Sequence, residues 1–208
     1  MTNEHPVIFI IDDDPSMRAT LADVMRSVGL AVQTFASAQD FLGTRLPDAP
    51  ACLVLDVRLP GQSGLDLHRT LAESGIELPV VFISGHDDVQ MSVRAMKAGA
   101  VDFLAKPFRD QNLLDAVHEG IERDRARRAR AVKVADLHER YRSLTERERA
   151  IMTFVVLGHP NKQIAAKLGV TEVTVKAYRR QIMHKMRARS LPELVRMAGR
   201  LRGAPDQH

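Results

Sequence analysis

Short apolar runs alternate with amphipathic segments through the first half of the chain. The runs 7–11, 32–35, 52–55, 80–83 and 102–105 are enriched in Val, Ile and Phe, which predicts strands. The segments 16–28, 38–42, 64–74 and 89–98 lie between them and predict helices; Leu21, Val24, Met25 and Val28 share one face of the first. Strands alternating with helices imply a parallel sheet covered on both faces. In such a sheet, ligands bind beyond the carboxyl ends of the strands.

From Gln111 onward the pattern is helical, with Leu114, Val117 and Ile121 three and four apart. It continues into an arginine-rich stretch, 123–143, that has no Gly or Pro and few large apolar residues before Val132. This predicts a solvated linker helix; the register Val134, Leu137, Tyr141 and Leu144 offers packing on a partner helix as the alternative. In "LTERERAIMTFVVLG", Thr145 and Glu148 stand three apart as a capping box, and Gly158 and Pro160 mark the end of the helix. "NKQIAAKLGVTEVTVKAYRRQIMHKM" then reads as a short helix, a turn at Gly169 and a longer helix over 172–186, the spacing of a helix-turn-helix. "SLPELVRMAGRL" supplies a closing helix.

Charge divides the chain at the same place. Residues 1–122 hold 9 Lys and Arg against 18 Asp and Glu, net −9, and residues 123–208 hold 21 against 8, net +13. An acidic half joined to a basic half indicates two domains, the basic one a candidate for nucleic acid; plain solvated surface charge is the alternative. The division predicted is 1–122, a helical linker 123–143, and 144–208. With 45% hydrophobic residues, a core is available to each part. No run of about 18 apolar residues occurs and the N-terminus lacks a signal-peptide pattern, so a cytoplasmic location without a membrane segment is expected. Cys52, the only cysteine, sits in an apolar run and reads as a small buried hydrophobe.

Four of the five strand ends carry polar residues: Asp12, Asp13 and Asp14 after the first, Asp56 after the third, Ser84 after the fourth, and Lys106 with Pro107 after the fifth. Any one of these alone is equally a helix cap or an ordinary surface group. Together they form an acidic pocket with one hydroxyl and one ammonium. Crowded carboxylates repel one another and favour a cation between them, and hard oxygen ligands at an open site suit Mg²⁺. A carboxylate there can act as nucleophile toward a phosphoryl group, whose oxygens Lys106 and Ser84 would meet.

The motifs "IIDDD", "LVLDVRLPGQSG", "VVFISG" and "AVDFLAKPF", in this order and spacing, resemble a response-regulator receiver domain. "LTERE", "NKQIAAKLGVTEVTVK" and "IMHKM" resemble the LuxR-type four-helix DNA-binding domain. The whole looks like a two-component regulator of the FixJ type. That resemblance implies a flavodoxin-like, doubly wound, five-stranded parallel sheet of order 2-1-3-4-5, followed by an all-α helix-turn-helix domain. It also implies that Asp56 is the phosphoacceptor, that Asp13, Asp56 and the backbone carbonyl of Arg58 bind Mg²⁺, and that Asp12 acts mainly through water. Ser84 and Phe103 would form a switch pair, although Phe103 reads equally as plain core. Lys106 would hold the phosphoryl oxygens, with a cis bond to Pro107. Arg58 and His86 would flank the site and tune the lifetime of the phosphate. The partners implied are a sensor histidine kinase, double-stranded promoter DNA, a second copy on phosphorylation, and RNA polymerase.

The helix over 172–186 divides into two stripes. Val175, Tyr178, Ile182 and Met186 form an apolar face, while Lys176, Arg180 and Arg187 lie on another, flanked by Arg179. A basic amphipathic helix after a Gly turn can enter a major groove, where Lys and Arg bond to guanine edges or phosphates. By similarity, Lys176, Ala177 and Arg180 face the bases, with Thr174, Tyr178, Arg179, Asn161 and Lys162 nearer the backbone. The family often has His where Tyr178 stands; a phenol can still donate to a phosphate.

Two other readings compete. Asp12, Asp14 and Ser16 spell the D-x-D-x-[ST] signature of haloacid-dehalogenase phosphohydrolases, followed by a strand-end Ser and a Lys. That family needs an acidic pair after its lysine, whereas here "GHDD" precedes Lys106, and Asp56 is left unexplained. The other is a DNA-binding regulator that works without phosphorylation. On the main reading the chain is not an enzyme beyond promoting its own phosphorylation and dephosphorylation.

Overall fold

The computed structural model describes residues 5–85 and 89–203 and divides into two compact units, Met1–Arg128 and Ala129–His208. His86, expected to flank the site, lies outside the described residues.

In the first unit, strands β1 (Val7–Ile11), β2 (Ala31–Phe35), β3 (Ala51–Asp56), β4 (Val80–Ser84) and β5 (Asp102–Ala105) form one sheet of order β2-β1-β3-β4-β5, every pair parallel. This is the doubly wound order expected. Side chains alternate across the pleat: Ile8, Ile10, Cys52, Val54, Val81 and Ile83 enter one core cluster, and Phe9, Ile11, Leu53, Leu55, Val80 and Phe82 the other. Helices α1 (Pro15–Ser27) and the start of α5 (Asp110–Arg142) cover the first cluster through Leu21, Met25, Leu113, Val117 and Ile121. Helices α2 (Ala38–Leu42), α3 (Gly64–Glu73) and α4 (Val89–Lys97) cover the second through Phe41, Leu67, Leu71 and Ala95. Both faces of β1, β3 and β4 are buried, which is why their sequences are continuous apolar runs. Edge strand β2 is largely exposed.

Helix α5 is continuous through most of the stretch expected as a linker, and its Asp124 is not solvated as the charge pattern suggested. Asp124 is fully buried: its Oδ2 accepts from the Ala51 amide (3.0 Å) and Arg128 Nε (2.9 Å), and its Oδ1 from Arg127 Nη2 (2.6 Å). Arg128 also reaches Asp48 at 2.6 Å. The carboxylate fixes the helix against the N-terminal edge of β3.

In the second unit, Leu137, Tyr141 and Leu144 join the core of that same unit. Three members of the apolar register that offered packing on a partner helix are therefore spent within the chain, while Val134 stays 39% exposed. Helices α6 (Glu146–Val156), α7 (Asn161–Leu168), α8 (Glu172–Lys185) and α9 (Leu191–Gly203) enclose Ile151, Val155, Ile164, Val175, Ile182, Met186 and Leu194. The capping box at Thr145 and Glu148 is present. Gly169 caps α7 at φ 65°, a left-handed conformation that costs glycine little and opens the turn into α8. Among the described residues no helix is long and apolar enough to cross a membrane.

Candidate functional site

The carboxyl ends of β1, β3, β4 and β5 meet because the parallel register aligns Ile11 with Leu55, Asp56 with Ile83, and Ser84 with Ala105. The three aspartates after β1 separate into different tasks. Asp14 caps α1: its Oδ1 accepts from the Ser16 amide at 2.8 Å, and Pro15 occupies the first helical turn, where its missing N–H is not needed. Asp12 is fully buried and accepts from the Asp14 amide at 2.8 Å, while Arg18 donates to its backbone carbonyl at 2.7 Å. Asp13 is exposed. One carboxylate oxygen from each of Asp12, Asp13 and Asp56 lies within 4.8 Å of the others, a hard-oxygen set that fits a small dication. Asp14 is not among them.

Lys106 spans this cluster. Its Nζ donates to Asp56 Oδ2 at 2.7 Å and to Asp12 Oδ2 at 2.9 Å. Burial on its own would lower the ammonium, but bonds to Asp56 and Asp12 outweigh that and hold it above its ordinary value. Asp12 is raised, chiefly by burial, although Lys106 and the Asp14 amide pull the other way. The Lys106–Pro107 peptide is cis. Asp56 Oδ1 accepts from the Arg58 amide at 2.9 Å, which brings the backbone of Arg58 beside the carboxylate.

The loop after Asp56 returns through a close approach only glycine permits. A Cβ at Gly64 would stand 2.2 Å from the Asp56 carbonyl oxygen, and the Gly64 amide donates to Val57 at 2.9 Å. Ser84 is buried, with the same pleat parity as Phe82, so it faces the α4 side of the sheet. Phe103 pairs in register with Phe82 and packs half-buried on that same cluster. The two residues expected as a switch pair thus share one face.

On α8 the apolar stripe is buried as expected, with Val175, Ile182 and Met186 fully enclosed and Tyr178 packed partly against them. Lys176, Ala177 and Arg180 are exposed. Thr171 caps the helix, accepting from the Thr174 amide at 3.1 Å, and the two hydroxyls are 2.9 Å apart. Arg179 donates to Asn161 Oδ1 at 3.1 Å, tying α8 to the start of α7, where Lys162 is exposed. One expectation fails: α8 ends at Lys185, and Arg187 lies beyond it at φ 52°, so it is off the basic stripe. Its neighbour Met186 is pulled into the core, and the chain turns there.

Comparison with known proteins decides the family. Residues 8–118 match the response regulator receiver domain, and residues 142–198 match the bacterial regulatory proteins of the luxR family. The chain belongs to the response-regulator family. It is 55% identical over 192 residues to nodulation protein W of Bradyrhizobium diazoefficiens, covering 92% of this chain and 85% of that protein. It is 42% identical over 191 residues to the transcriptional regulatory protein FixJ of Rhizobium meliloti, covering 92% and 94%. Among solved structures it matches the response regulator StyR at 45% identity with a TM-score of 0.83, covering 94% of this chain and 98% of that one. This response regulator therefore joins a receiver to a LuxR-type DNA-binding domain, and its family regulates transcription rather than performing classical enzymatic turnover. A receiver implies a histidine kinase as partner and a LuxR-type domain implies DNA. The haloacid-dehalogenase reading is not favoured: the second aspartate of its signature, Asp14, is occupied as a helix cap.

Proposed function

We propose that Asp56 is the phosphoacceptor of this regulator. A carboxylate oxygen of Asp56 attacks phosphorus, the P–N bond of the kinase's phosphohistidine breaks, and its electron pair returns to the imidazole. Asp13, Asp56 and the Arg58 carbonyl would hold Mg²⁺, with Asp12 acting through water; when bound, the ion neutralises charge on the phosphoryl oxygens. Lys106 holds those oxygens in turn, moving from its contact with the Asp56 carboxylate. Ser84 then moves toward the phosphoryl group and Phe103 turns inward to fill the space.

The observation that carries this reading is the contact of Lys106 with both Asp56 and Asp12 at the carboxyl edge of the sheet. Dimerisation through α4 and β5 is supported by Val89, Val93 and Met96, spaced four and three apart and exposed along α4. Residues 144–208 then bind promoter DNA as a pair, joined by 123–143 to the receiver of 1–122, and alter the work of RNA polymerase in the cytoplasm.

The test is incubation with Mg²⁺ and acetyl phosphate followed by intact mass measurement. One stable phosphoryl addition, absent in Asp56→Asn, is the expected result. Turnover of phosphate esters that survives Asp56→Asn but not Asp12→Asn would overturn it. For the reader, Lys176→Ala should relax sequence preference, whereas Lys162→Ala should weaken binding to all sequences and reduce the salt slope by about one.

A further inference from the structure

We propose that Val173 is a specificity residue of the DNA-reading helix and packs on the 5-methyl group of a thymine. This rests on the reading of α8 as the helix that enters the major groove. Val173 stands in the first turn of α8, two residues after its Thr171 cap, and at 75% exposure it is the most exposed large hydrophobic of the described residues. A β-branched residue there adds no packing and is a poor helix former, so neither the core nor local propensity accounts for it.

Its position does. Lys176, Ala177 and Arg180 follow Val173 at three, four and seven residues, so the four share one face, and all are exposed. The opposite face, Val175 and Ile182, is wholly buried. The groove-facing stripe therefore reads apolar, basic, small, basic from its N-terminal end, the end that reaches base edges in helix-turn-helix proteins. An isolated valine at the head of a stripe whose next exposed members include two cations suits an anionic surface that carries a single apolar group. In the major groove only thymine presents a methyl group, and apolar side chains discriminate it by contact. Ala177, lacking bulk, leaves the valine room to approach.

The experiment uses the full chain treated with Mg²⁺ and acetyl phosphate, and a duplex it enriches from a random pool. Each thymine of that duplex is replaced in turn by uracil, which removes the methyl group and keeps the pairing. At one thymine per half-site, the substitution should weaken binding by the wild-type chain about three- to fivefold, the value of one buried methyl group. Val173→Ala should bind the thymine duplex weaker by a similar factor and lose its response to uracil at that position alone, with unchanged circular dichroism. A Val173→Ala chain that responds to uracil as the wild type does at every position overturns the proposal while leaving DNA reading intact. So does a wild-type chain indifferent to every replacement. A pool from which nothing is enriched overturns both.

Discussion

Lys106 and Asp56 are fifty residues apart in sequence, and the ammonium of one meets the carboxylate of the other at 2.7 Å. The same ammonium also reaches Asp12, whose carboxylate has no exposed surface of consequence. Each acid therefore owes its tolerance of the other to one cation. Replacing Lys106 with Met removes that cation and leaves a buried carboxylate without its charged partner. A loss of about 1–3 kcal/mol is expected, below the full cost of a broken buried pair because Lys106 keeps 19% of its side-chain surface exposed. Urea denaturation in metal-free buffer measures it. Added Mg²⁺ should recover part of the loss, since an ion that binds only the folded chain stabilises it by mass action.

The loop that carries Arg58 past Asp56 makes a second, independent prediction. Gly64→Ala drives a Cβ to 2.2 Å from the Asp56 carbonyl oxygen, a backbone atom that cannot swing aside. The expected cost is about 3 kcal/mol, with slower phosphoryl uptake if Asp56 is the acceptor as proposed, because relief comes only by displacing the strand end that holds Asp56. Gly61→Ala meets nothing within 4 Å and pays only for its φ of 82°, about 1–2 kcal/mol. Denaturation midpoints and rates of phosphoryl uptake for both variants separate the effects.

Much of this architecture was legible in the sequence, and the exceptions share a cause. The three central strands β1, β3 and β4 are runs of Val, Ile, Leu and Phe buried on both faces, so pattern alone exposes them, and polar residues at the strand ends mark the candidate site. What pattern could not resolve was which of three adjacent aspartates would serve the helix; Pro15 decides it by starting α1 one residue after Asp14. Nor could it find Asp124, which in sequence is one more acid among arginines at helical spacing. Its burial depends on the Ala51 amide, seventy-three residues away. Arg187 leaves the basic stripe because α8 stops two residues short of it, a stop that periodicity does not mark. Val173 escaped because an apolar residue beside Val175 reads as more of the same core.

Asp124 gives the third prediction. Its carboxylate is fully buried and satisfies the Ala51 amide, Arg127 and Arg128 together. Asp124→Ala leaves the buried Ala51 amide without an acceptor, while Arg127, 39% exposed, turns to solvent and Arg128 keeps Asp48, so it should cost about 2–3 kcal/mol. Asp124→Asn keeps one acceptor oxygen and should cost less, about 1–2 kcal/mol. Hydrogen exchange at the Ala51 amide, read in the Asn variant, checks the cause directly: protection should fall there before it falls elsewhere in β3.

Glu148 makes the fourth, through pH. Its Oε2 accepts from Lys185 Nζ at 2.6 Å, from the Thr145 amide at 2.7 Å and from the Thr145 hydroxyl at 3.1 Å, joining the cap of α6 to the end of α8. Burial alone would raise its carboxyl, but the bond from Lys185, followed by those from Thr145, outweighs burial and holds it below the ordinary 4.5. A carboxyl whose folded value is depressed stabilises the fold above its unfolded value and loses that contribution as pH falls through the folded one. The wild-type chain should therefore hold a constant advantage over Glu148→Gln near neutrality. That advantage should begin to shrink as pH falls into the ordinary carboxyl range and vanish once Glu148 is protonated in both states. At neutral pH, Glu148→Ala should cost about 1–3 kcal/mol, because the Thr145 amide loses its acceptor while Lys185, 34% exposed, keeps solvent and the Ser143 carbonyl. Lys185→Met should remove the larger part of the pH dependence and leave the cap in place. Unfolding followed by circular dichroism across acid pH, for all four chains, distinguishes these outcomes. A pH-independent gap between wild type and Glu148→Gln would show that the acid works only as a neutral cap.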